Sequence, residues 1–258
     1  MENQEKDMGG WGTGLIAGRN PVWEALRSGR ALDCLYVERG QHTGQLTAIL
    51  AKARELGVPI KECDPRKLSH MVGGANHQGV VASAAVKEYA EVDDLLALAQ
   101  ERGEQPFLII CDGLEDPHNL GAVIRSAECA GAHGVIIPKR RSVGLTWAVG
   151  KASAGAVEHL PVARVQNLSK LIDDLKARGI WCYAADMDGG TWYETDFTGP
   201  TALVIGSEGR GVSRLVKERC DGAVSLPVLG RVNSLNASVA AGVLCYEVLR
   251  QRAERSRQ

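Results

Sequence analysis

The sequence predicts an α/β protein with a mostly parallel sheet, preceded by a small α/β domain. Short apolar runs alternate with segments of helical apolar periodicity along the 258 residues, which is the pattern of strand–helix–strand units. Glycine-rich polar segments follow several of these runs, and open α/β sheets bind ligands beyond the carboxyl ends of their strands. The net charge of −1 argues against a uniformly basic surface, although residues 15–88 carry more basic than acidic side chains.

Composition divides the chain into four parts. Residues 1–14 are polar and glycine-rich, which predicts a flexible tail. A small domain over 15–88, a linker with an acidic helix over 89–105 and a larger domain over 106–258 are expected to follow. No apolar run approaches the roughly 20 residues that a membrane span needs. The N-terminus lacks the features of a signal peptide, so a cytoplasmic protein is expected.

Helix and strand signals alternate through the small domain. Asn20-Pro21 is expected to cap and begin a first helix, and Asp64-Pro65 a short helix that ends near residue 71. The remaining elements predicted here are a helix over 45–56 and strands over 34–37, 58–63 and 79–84.

Five apolar runs and five helical segments alternate in the larger domain, which predicts a parallel sheet with helices on its faces. The predicted strands are 107–111, 134–137, 180–184, 202–205 and 223–226. The predicted helices are 119–130, 145–152, 168–178, 213–220 and 235–250. Asn119 is expected to cap the first of these helices, and Glu208 to lie at a helix N-terminus, where a carboxylate is favoured.

Several common kinds of site are missing from the sequence. No G-x-G-x-x-G motif follows the strand predicted at 107–111, which argues against a dinucleotide cofactor. The six histidines have no metal-ligand spacing and the seven cysteines no C-x-x-C pair, so reduced thiols and no metal are expected. The segment 144–151 departs from a phosphate-binding loop in spacing and in its missing magnesium ligand. The segment 151–155 also lacks the first glycine of the G-x-S-x-G motif. These features argue against an NTPase, a hydrolase of the Ser-His-Asp type or a metalloenzyme.

Three polar segments at predicted strand ends carry the candidate chemistry. The first is DPHNLGAVIRSA at 116–127, and the second is GSEG at 206–209. The third begins at Leu226-Pro227 and continues as NSLNAS at 233–238. Glycines in these loops permit positive φ angles and close backbone approach. The loops are therefore predicted to hold a small cofactor.

In order, spacing and placement, these segments resemble the SpoU family of RNA ribose 2′-O-methyltransferases, in the SPOUT superfamily. The sequences GRNPVWEAL at 18–26 and NHQGVVA at 76–82 resemble the family's small RNA-substrate domain, which has an L30e-like fold. The resemblance extends over 15–252, with Ala237 where relatives often carry Val. It implies a SPOUT-type catalytic domain with a C-terminal trefoil knot, a homodimer formed through that domain, and S-adenosyl-L-methionine as cofactor.

The resemblance also implies which residues hold the cofactor. They are Ile205, Gly206, Leu226 and Leu235, acting largely through backbone groups. The leucines are expected to pack against the adenine, in the manner of a mostly apolar pocket with few polar contacts. An ordinary place in the core is the alternative for both leucines.

Catalysis is assigned by the same resemblance to Asn119, Arg125, Glu208, Ser234 and Asn236. A ribose 2′-hydroxyl is a poor nucleophile until it is deprotonated or polarised. Arg125 is implied to be the general base, or to activate the hydroxyl with help from a substrate phosphate. A clamp on the oxygen and the phosphate is the alternative, because a guanidinium keeps its proton to above about pH 12. For Ser234 and Asn236 the alternative is capping of the last helix.

Contacts with RNA phosphates are expected at Lys139, Arg140 and Arg141, which follow a predicted strand, and at Arg19. A solvated loop is the alternative for the three adjacent cations. The resemblance thus implies 2′-O-methylation of RNA, most naturally of a guanosine in large-subunit (23S) ribosomal RNA, because the family's tRNA enzymes generally lack the small domain. A tRNA methyltransferase, or a non-catalytic RNA-binding or ribosome-assembly protein with this fold, is the alternative.

Overall fold

The computed structural model describes residues 14–40, 44–73, 76–85, 87–232 and 234–255. The predicted tail lies outside these residues except for Gly14. The chain forms two compact units. One unit comprises the described residues up to Glu88 together with Gly144–Gly150, and the other comprises Tyr89–Val143 and the chain from Lys151 onward.

The first unit is built on a four-stranded sheet of strand order β1-β4-β2-β3. Its strands are β1 (Leu15–Ala17), β2 (Leu32–Glu38), β3 (Ile60–Cys63) and β4 (Val80–Ala84). Its helices are α1 (Arg19–Arg27), α2 (Gln45–Glu55) and α3 (Pro65–Met71). Strands β2 and β3 are parallel, and β4 is antiparallel to both β1 and β2. The helices bury Val22, Leu26 and Ile49 in a common core with Leu35.

The two helix starts predicted in this unit have different outcomes. Asp64 caps α3, since its side chain accepts a hydrogen bond from the Arg66 N–H at 2.8 Å. The prediction that Asn20 caps α1 is wrong by two residues, because the cap is Gly18 at a φ of 95°. The Asn20 side chain instead accepts a hydrogen bond from Gln45 at the start of α2, at 2.7 Å. Asn20 therefore joins two helix starts.

The second unit contains a six-stranded sheet of order β10-β8-β9-β5-β6-β7, in which every neighbouring pair of strands is parallel. The predicted α/β class with a mostly parallel sheet is confirmed. Its strands are β5 (Phe107–Asp112), β6 (Gly134–Pro138), β7 (Val162–Val165), β8 (Trp181–Thr191), β9 (Thr201–Gly206) and β10 (Gly222–Ser225). The helices of this part of the chain are α4 (Val92–Glu101), α5 (Pro117–Cys129), α6 (Trp147–Ala152), α7 (Leu168–Ala177), α8 (Arg214–Lys217) and α9 (Ala237–Arg255). The C-terminal trefoil knot stays a prediction.

The segment predicted as a linker carries α4, whose apolar side is packed into the second unit. Leu95 is fully buried in the core of that unit, whereas the acidic Asp93 and Asp94 lie in the first turn of the helix. Gly134 admits Leu95, since a Cβ at Gly134 would lie 2.2 Å from the Leu95 Cγ. The acidic residues of the predicted linker thus belong to a helix, α4, whose apolar side is packed against the core.

Strands β5 and β9 form the centre of the second core. All six residues of β9 are buried, as are the first five of β5, which explains why both appear in the sequence as uninterrupted apolar runs. The loops at the carboxyl ends of these two strands are therefore attached to the centre of the core.

Within the described residues, no helix is both long enough and apolar enough to cross a membrane.

Candidate functional site

The carboxyl ends of β5 and β9 lie side by side at one edge of the six-stranded sheet, because Asp112 pairs with Gly206 in the parallel register. The chain leaves these strands through two polar loops, 113–116 and 207–213. Two cavities open here and have a wall in common. The residues that line both cavities are Ser207, Glu208, Arg210 and Gly211. The strand ends thus place a two-chambered site where open α/β sheets bind ligands.

The common wall is a tight hairpin over Ser207–Gly211. The Ser207 N–H donates to the Gly211 carbonyl at 3.1 Å, and the Gly211 N–H donates to the Ser207 carbonyl at 2.9 Å. Gly209 and Gly211 have φ angles of 79° and 64°, which favour glycine. The prediction that Glu208 lies at a helix N-terminus is therefore wrong: Glu208 is in the hairpin, and α8 begins only at Arg214. The Gly-Ser-Glu-Gly sequence serves the hairpin rather than a helix start.

Gly206 is held against the far side of this hairpin. A Cβ at Gly206 would lie 2.0 Å from the Gly211 carbonyl carbon and 2.1 Å from the Val212 nitrogen. The close approach that the sequence predicts at Gly206 is thus an approach to the chain's own backbone. No side chain fits there, so the identity of Gly206 follows from the geometry of the hairpin.

The first chamber, here called the apolar cavity, has a volume of about 560 Å³. All four residues predicted to bind a cofactor line it, and so does Ser234. The four are Ile205, Gly206, Leu226 and Leu235. Leu235 is 43% exposed and Leu226 is half-buried, whereas Ile205 is buried at the end of β9. The two leucines are therefore cavity walls and not ordinary core residues.

The second chamber, here called the polar cavity, has a volume of about 830 Å³. Arg140, Arg141 and Arg210 line it, together with Asn119 and Glu208. Lys139 is not part of this lining, although it directly follows β6 as predicted. Charges of both signs line this cavity, since Asp112, Glu115 and Asp116 are also part of it. The three guanidinium groups are the part of the lining that can bind an anion.

Asn236 connects the residues that lie between the two cavities. Its Nδ2 donates to the Asn119 Oδ1 at 2.9 Å and to the Glu208 Oε1. Its Oδ1 accepts from the Ser238 N–H at 2.9 Å and from the Val239 N–H at 3.2 Å, which caps α9. The predicted alternative for Asn236, helix capping, thus coexists with a contact to two predicted catalytic residues.

Asn119 does not cap α5, contrary to the prediction. The cap is Asp116, whose side chain accepts from the His118 N–H at 3.1 Å. Asn119 is 7% exposed and lies in the first turn of α5. Because its Oδ1 accepts from Asn236, the amide nitrogen of Asn119 is the end left to face the polar cavity.

Two carboxylates at the apolar cavity come from β8. Burial alone would raise the pKa of Asp186, but hydrogen bonds from Lys217 and from the Asp188 N–H outweigh it and lower that pKa. The Lys217 ammonium lies 2.8 Å from Asp186. The Asp188 side chain, by contrast, is exposed and has no ion pair within the described residues. The Asp186 carboxylate is therefore occupied by Lys217, whereas the Asp188 carboxylate is available to a ligand in the cavity.

Two predicted site residues lie apart from this arrangement. Arg125 is exposed on α5 and lines neither cavity in the single chain. Arg19 begins α1 in the first unit, where its Nε donates to the Gln78 carbonyl at 3.0 Å. The structure thus brings together Asn119, Glu208 and Asn236, and places Arg125 on the outer side of the helix that carries Asn119.

Sequence reasoning did not identify Arg210, Asp186 or Asp188. The strand predicted at 180–184 ends before the two aspartates, whereas β8 continues to Thr191 through a shift in its register with β10. The Asp-Gly-Gly sequence at 188–190 indicates a loop, which concealed this extension. For Arg210, the flanking glycines were the available signal.

Comparisons with known proteins identify the family of this chain. Residues 106–246 match the model of the SpoU rRNA Methylase family. Residues 15–90 match the model described as RNA 2′-O ribose methyltransferase substrate binding. A curated relative from Bacillus subtilis, YacO, assigned to the TrmH family of tRNA/rRNA methyltransferases, is 51% identical over 238 residues, which are 92% of this chain and 95% of that protein.

Solved structures give the same result. The SpoU methyltransferase AviRb from Streptomyces viridochromogenes, in complex with AdoMet, has a TM-score of 0.59 and 28% identity, covering 93% of this chain and 90% of AviRb. A TrmH/SpoU tRNA modifying enzyme of A. aeolicus has a TM-score of 0.54 and 27% identity. The match covers 59% of this chain and 78% of the A. aeolicus enzyme.

Proposed function

This chain belongs to the SpoU family of S-adenosylmethionine-dependent RNA methyltransferases. We propose that it methylates a ribose 2′-hydroxyl of ribosomal RNA, with the methyl donor and the RNA bound on opposite sides of the Ser207–Gly211 hairpin. One observation carries the proposal. The hairpin lies between the apolar cavity and the polar one, and at this wall the Asn236 side chain bonds both Asn119 and Glu208. A methyl group passes between two substrates only if their pockets meet, and here they meet at these residues.

The apolar cavity fits the methyl donor. Its volume of about 560 Å³ is in the range of small-molecule sites, and Leu226, Leu235 and Val224 give it apolar walls suited to an adenine ring. Asp188 supplies an exposed carboxylate for hydroxyl or amino groups. Asp186 and Glu208 are the other carboxylates of the lining, and a negative lining suits a positively charged sulfonium. When bound, S-adenosylmethionine supplies an electrophilic methyl group.

Asn119, Glu208 and Asn236 are proposed to orient the acceptor. The Asn119 amide nitrogen is free to donate to a ribose oxygen, because its Oδ1 is occupied by Asn236. The second Glu208 oxygen is available to accept from the 2′-hydroxyl, because Oε1 is bonded to Asn236. Holding that hydroxyl in line with the methyl group supplies much of the rate acceleration. Ser234 lines the apolar cavity beside them.

Arg125 is proposed to act in a homodimer formed through this domain. The outward side of α9 carries a row of exposed apolar residues, Val239, Val243, Tyr246 and Leu249. Helix α5 packs beside α9, since a Cβ at Gly242 would lie 3.5 Å from the Ser126 Oγ. Arg125 precedes Ser126 and is exposed, so a second copy on this face would bring its own Arg125 toward the site. There Arg125 would clamp the 2′-oxygen and a phosphate rather than remove a proton.

The dimer is tested by Tyr246→Glu, which places a charge in the apolar row. A monomer by light scattering, with turnover lost, is expected. Tyr193→Glu is the matched control, because Tyr193 is comparably exposed but lies outside α9. A dimeric and active Tyr246→Glu variant would rule out this interface.

Ribosomal RNA is proposed over tRNA as the substrate. The A. aeolicus tRNA-modifying enzyme matches only 59% of this chain, whereas AviRb matches 93%. Residues 15–90 match the substrate-binding model, and residues 15–88 carry ten basic and seven acidic side chains. The proposed phosphate contacts are Arg19, in this part of the chain, and Lys139, Arg140 and Arg141. The protein is proposed to act in the cytoplasm.

Transfer of tritiated methyl groups to large-subunit ribosomal RNA transcripts and to unmodified tRNA tests the function, followed by mapping of the methylated nucleotide. Incorporation at one ribose, most naturally of a guanosine in 23S RNA, is expected. Arg125→Ala should abolish it while S-adenosylmethionine still raises the melting temperature. Methylation of tRNA but not of ribosomal RNA would mean that tRNA is the substrate. RNA binding without any transfer would indicate a non-catalytic role.

A further inference from the structure

Arg210 stands at the tip of the Ser207–Gly211 hairpin, the one wall that the two cavities have in common. It is exposed, and the described residues provide it with no hydrogen bond or ion pair. The hairpin itself is closed by backbone bonds between Ser207 and Gly211. The Arg210 guanidinium, at the wall between the two cavities, is therefore available to a ligand.

The charges of the two chambers indicate which ligand. On the side of the apolar cavity, Asp186, Asp188 and Glu208 line the wall with Arg210, yet none of these carboxylates lies within ion-pair distance of it. On the side of the polar cavity, Arg210 is accompanied by Arg140 and Arg141. The same cavity is lined by four carboxylates, of which Asp112, Asp116 and Glu208 each accept a hydrogen bond within the chain. Arg210 has no ion pair with any described carboxylate, so it is a cation open to an anionic ligand at this wall.

The chemistry of ribose methylation fixes where that anion must be. In RNA the 2′-oxygen and the 3′-phosphodiester are attached to adjacent carbons of the same ribose. Any 2′-oxygen presented at the hairpin therefore brings its own 3′-phosphate to the same wall. We propose that Arg210 binds the phosphate on the 3′ side of the methylated nucleotide and so sets the position of the 2′-hydroxyl. This rests on the proposed function for the identity of the acceptor.

A guanidinium suits this role better than an ammonium, because its planar fork bonds two phosphate oxygens at once. A contact with the 3′-phosphate selects the ribose that carries this phosphate as the methyl acceptor, rather than the nucleotide before it. Glu208, two residues earlier in the hairpin, remains bonded to Asn236. The hairpin would therefore present a carboxylate to the reacting hydroxyl and a cation to the neighbouring phosphate.

The test is a comparison of guanosine 3′-monophosphate with guanosine 5′-monophosphate as ligands, by titration calorimetry or NMR. The wild-type protein should bind the 3′ isomer about tenfold more tightly, as expected for one charge-assisted contact. Arg210→Ala should reduce this preference to about one, and Arg210→Lys should keep part of it. Arg214→Ala is the matched control and should leave the preference unchanged, because Arg214 is exposed and pairs with Glu218.

Mononucleotide binding requires neither turnover nor a bound methyl donor, so it is read separately from the methylation assay. A wild-type protein that binds both isomers equally would overturn the proposal, and so would an Arg210→Ala variant with the preference intact. A tenfold loss of S-adenosylmethionine affinity in Arg210→Ala would also overturn it, since the arginine would then serve the cofactor carboxylate. In the methylation assay, Arg210→Ala should raise the KM for RNA by about tenfold and make KM less dependent on salt.

Discussion

The Asn236 side chain donates to Asn119 across a separation of 117 residues, at 2.9 Å, while its oxygen caps the helix that begins at Ala237. This one amide therefore has a defined orientation, since the capping bonds require its oxygen on the helix side. Its nitrogen is left for Asn119 and Glu208. The arrangement makes the start of α9 a fixed support for the two groups proposed to meet the ribose.

Asn236→Asp should separate these two roles. Aspartate caps helices as well as asparagine does, so the free energy of unfolding should change by less than about 1 kcal/mol. The donor to Asn119 and Glu208 is lost, and a second carboxylate faces Glu208. Loss of bonds to a charged group predicts a roughly 10- to 100-fold fall in kcat. Steady-state methylation and thermal melts measure the two effects.

Asn236→Ser serves as the control, because it keeps a capping oxygen and removes the bridge without adding charge. It should also lose activity. An Asn236→Asp variant with normal kcat would mean that the bridge to Asn119 and Glu208 does not contribute to catalysis.

Gly206→Ala should damage both the hairpin and the cofactor pocket. The added Cβ would lie 2.0 Å from the Gly211 carbonyl carbon, so the backbone of the hairpin must move. Overpacking of this kind costs about 1–3 kcal/mol of stability. Because the hairpin lines the apolar cavity, S-adenosylmethionine should no longer stabilise the variant in a thermal shift assay.

Gly199→Ala is the matched substitution, because nothing lies within 4 Å of a Cβ there. It should melt like the wild type and respond to the cofactor. Full cofactor affinity in Gly206→Ala would show that the hairpin tolerates displacement.

The arrangement of strands was predictable because it depends on local apolar patterns. The runs at 107–111 and 202–205 are buried on both faces and appear as continuous apolar stretches, so both were located to within one residue at each end. Strand β7, with only four residues, was missed, as was the short β1. The second half of β8 was missed because Gly189 is required for contact with Ala223 and not for a turn.

Part of the candidate site was predictable in its residues, but its hydrogen bonds were not. Asn119, Glu208 and Asn236 were identified through resemblance, yet capping rules assigned Asn119 and Glu208 to helix starts that they do not occupy. A hydrogen bond over 117 residues has no signal in a local pattern, since it depends on how α5, β9 and α9 pack. The glycines beside Arg210 indicated a loop but not its place at the wall of two cavities, which depends on how the strands pack.

Buried His133 should make stability depend on pH. Its Nδ1 accepts from the Phe107 N–H at 3.0 Å, and its Nε2 lies 3.0 Å from the Glu104 carboxylate. Burial lowers the pKa of His133 below its ordinary value of 6.5, although Glu104 opposes this. The unfolded chain therefore binds more protons than the folded one below about pH 6.5, and stability falls as the pH drops through that window.

Denaturant titrations between pH 5 and pH 7.5 measure this effect. One such group gives a slope of at most about 1.4 kcal/mol per pH unit. His133→Gln removes the titration, so its stability should vary less with pH over the same range. Equal pH dependence in both proteins would exclude His133 as the origin.

Arg252, near the end of α9, should be a major contributor to the stability of the second unit. Its guanidinium donates to the carbonyls of Gln105 and Gly199, each at 2.7 Å, and to that of Pro106 at 3.0 Å. It also lies over the Phe107 ring, 5.4 Å from the centroid. One side chain thus joins the last helix to the entries of β5 and β9, whose other ends carry the site.

Arg252→Ala should lower the free energy of unfolding by about 3 kcal/mol, because several carbonyls lose a charged donor at once. Arg252→Lys should recover only part of it, since an ammonium cannot reproduce the planar fork. Arg255→Ala, which removes a single bond to Thr198, is the control and should cost less than about 1 kcal/mol. Urea unfolding measures all three variants. Equal losses in Arg252→Ala and Arg255→Ala would mean that the carbonyl contacts add nothing beyond an exposed helix end.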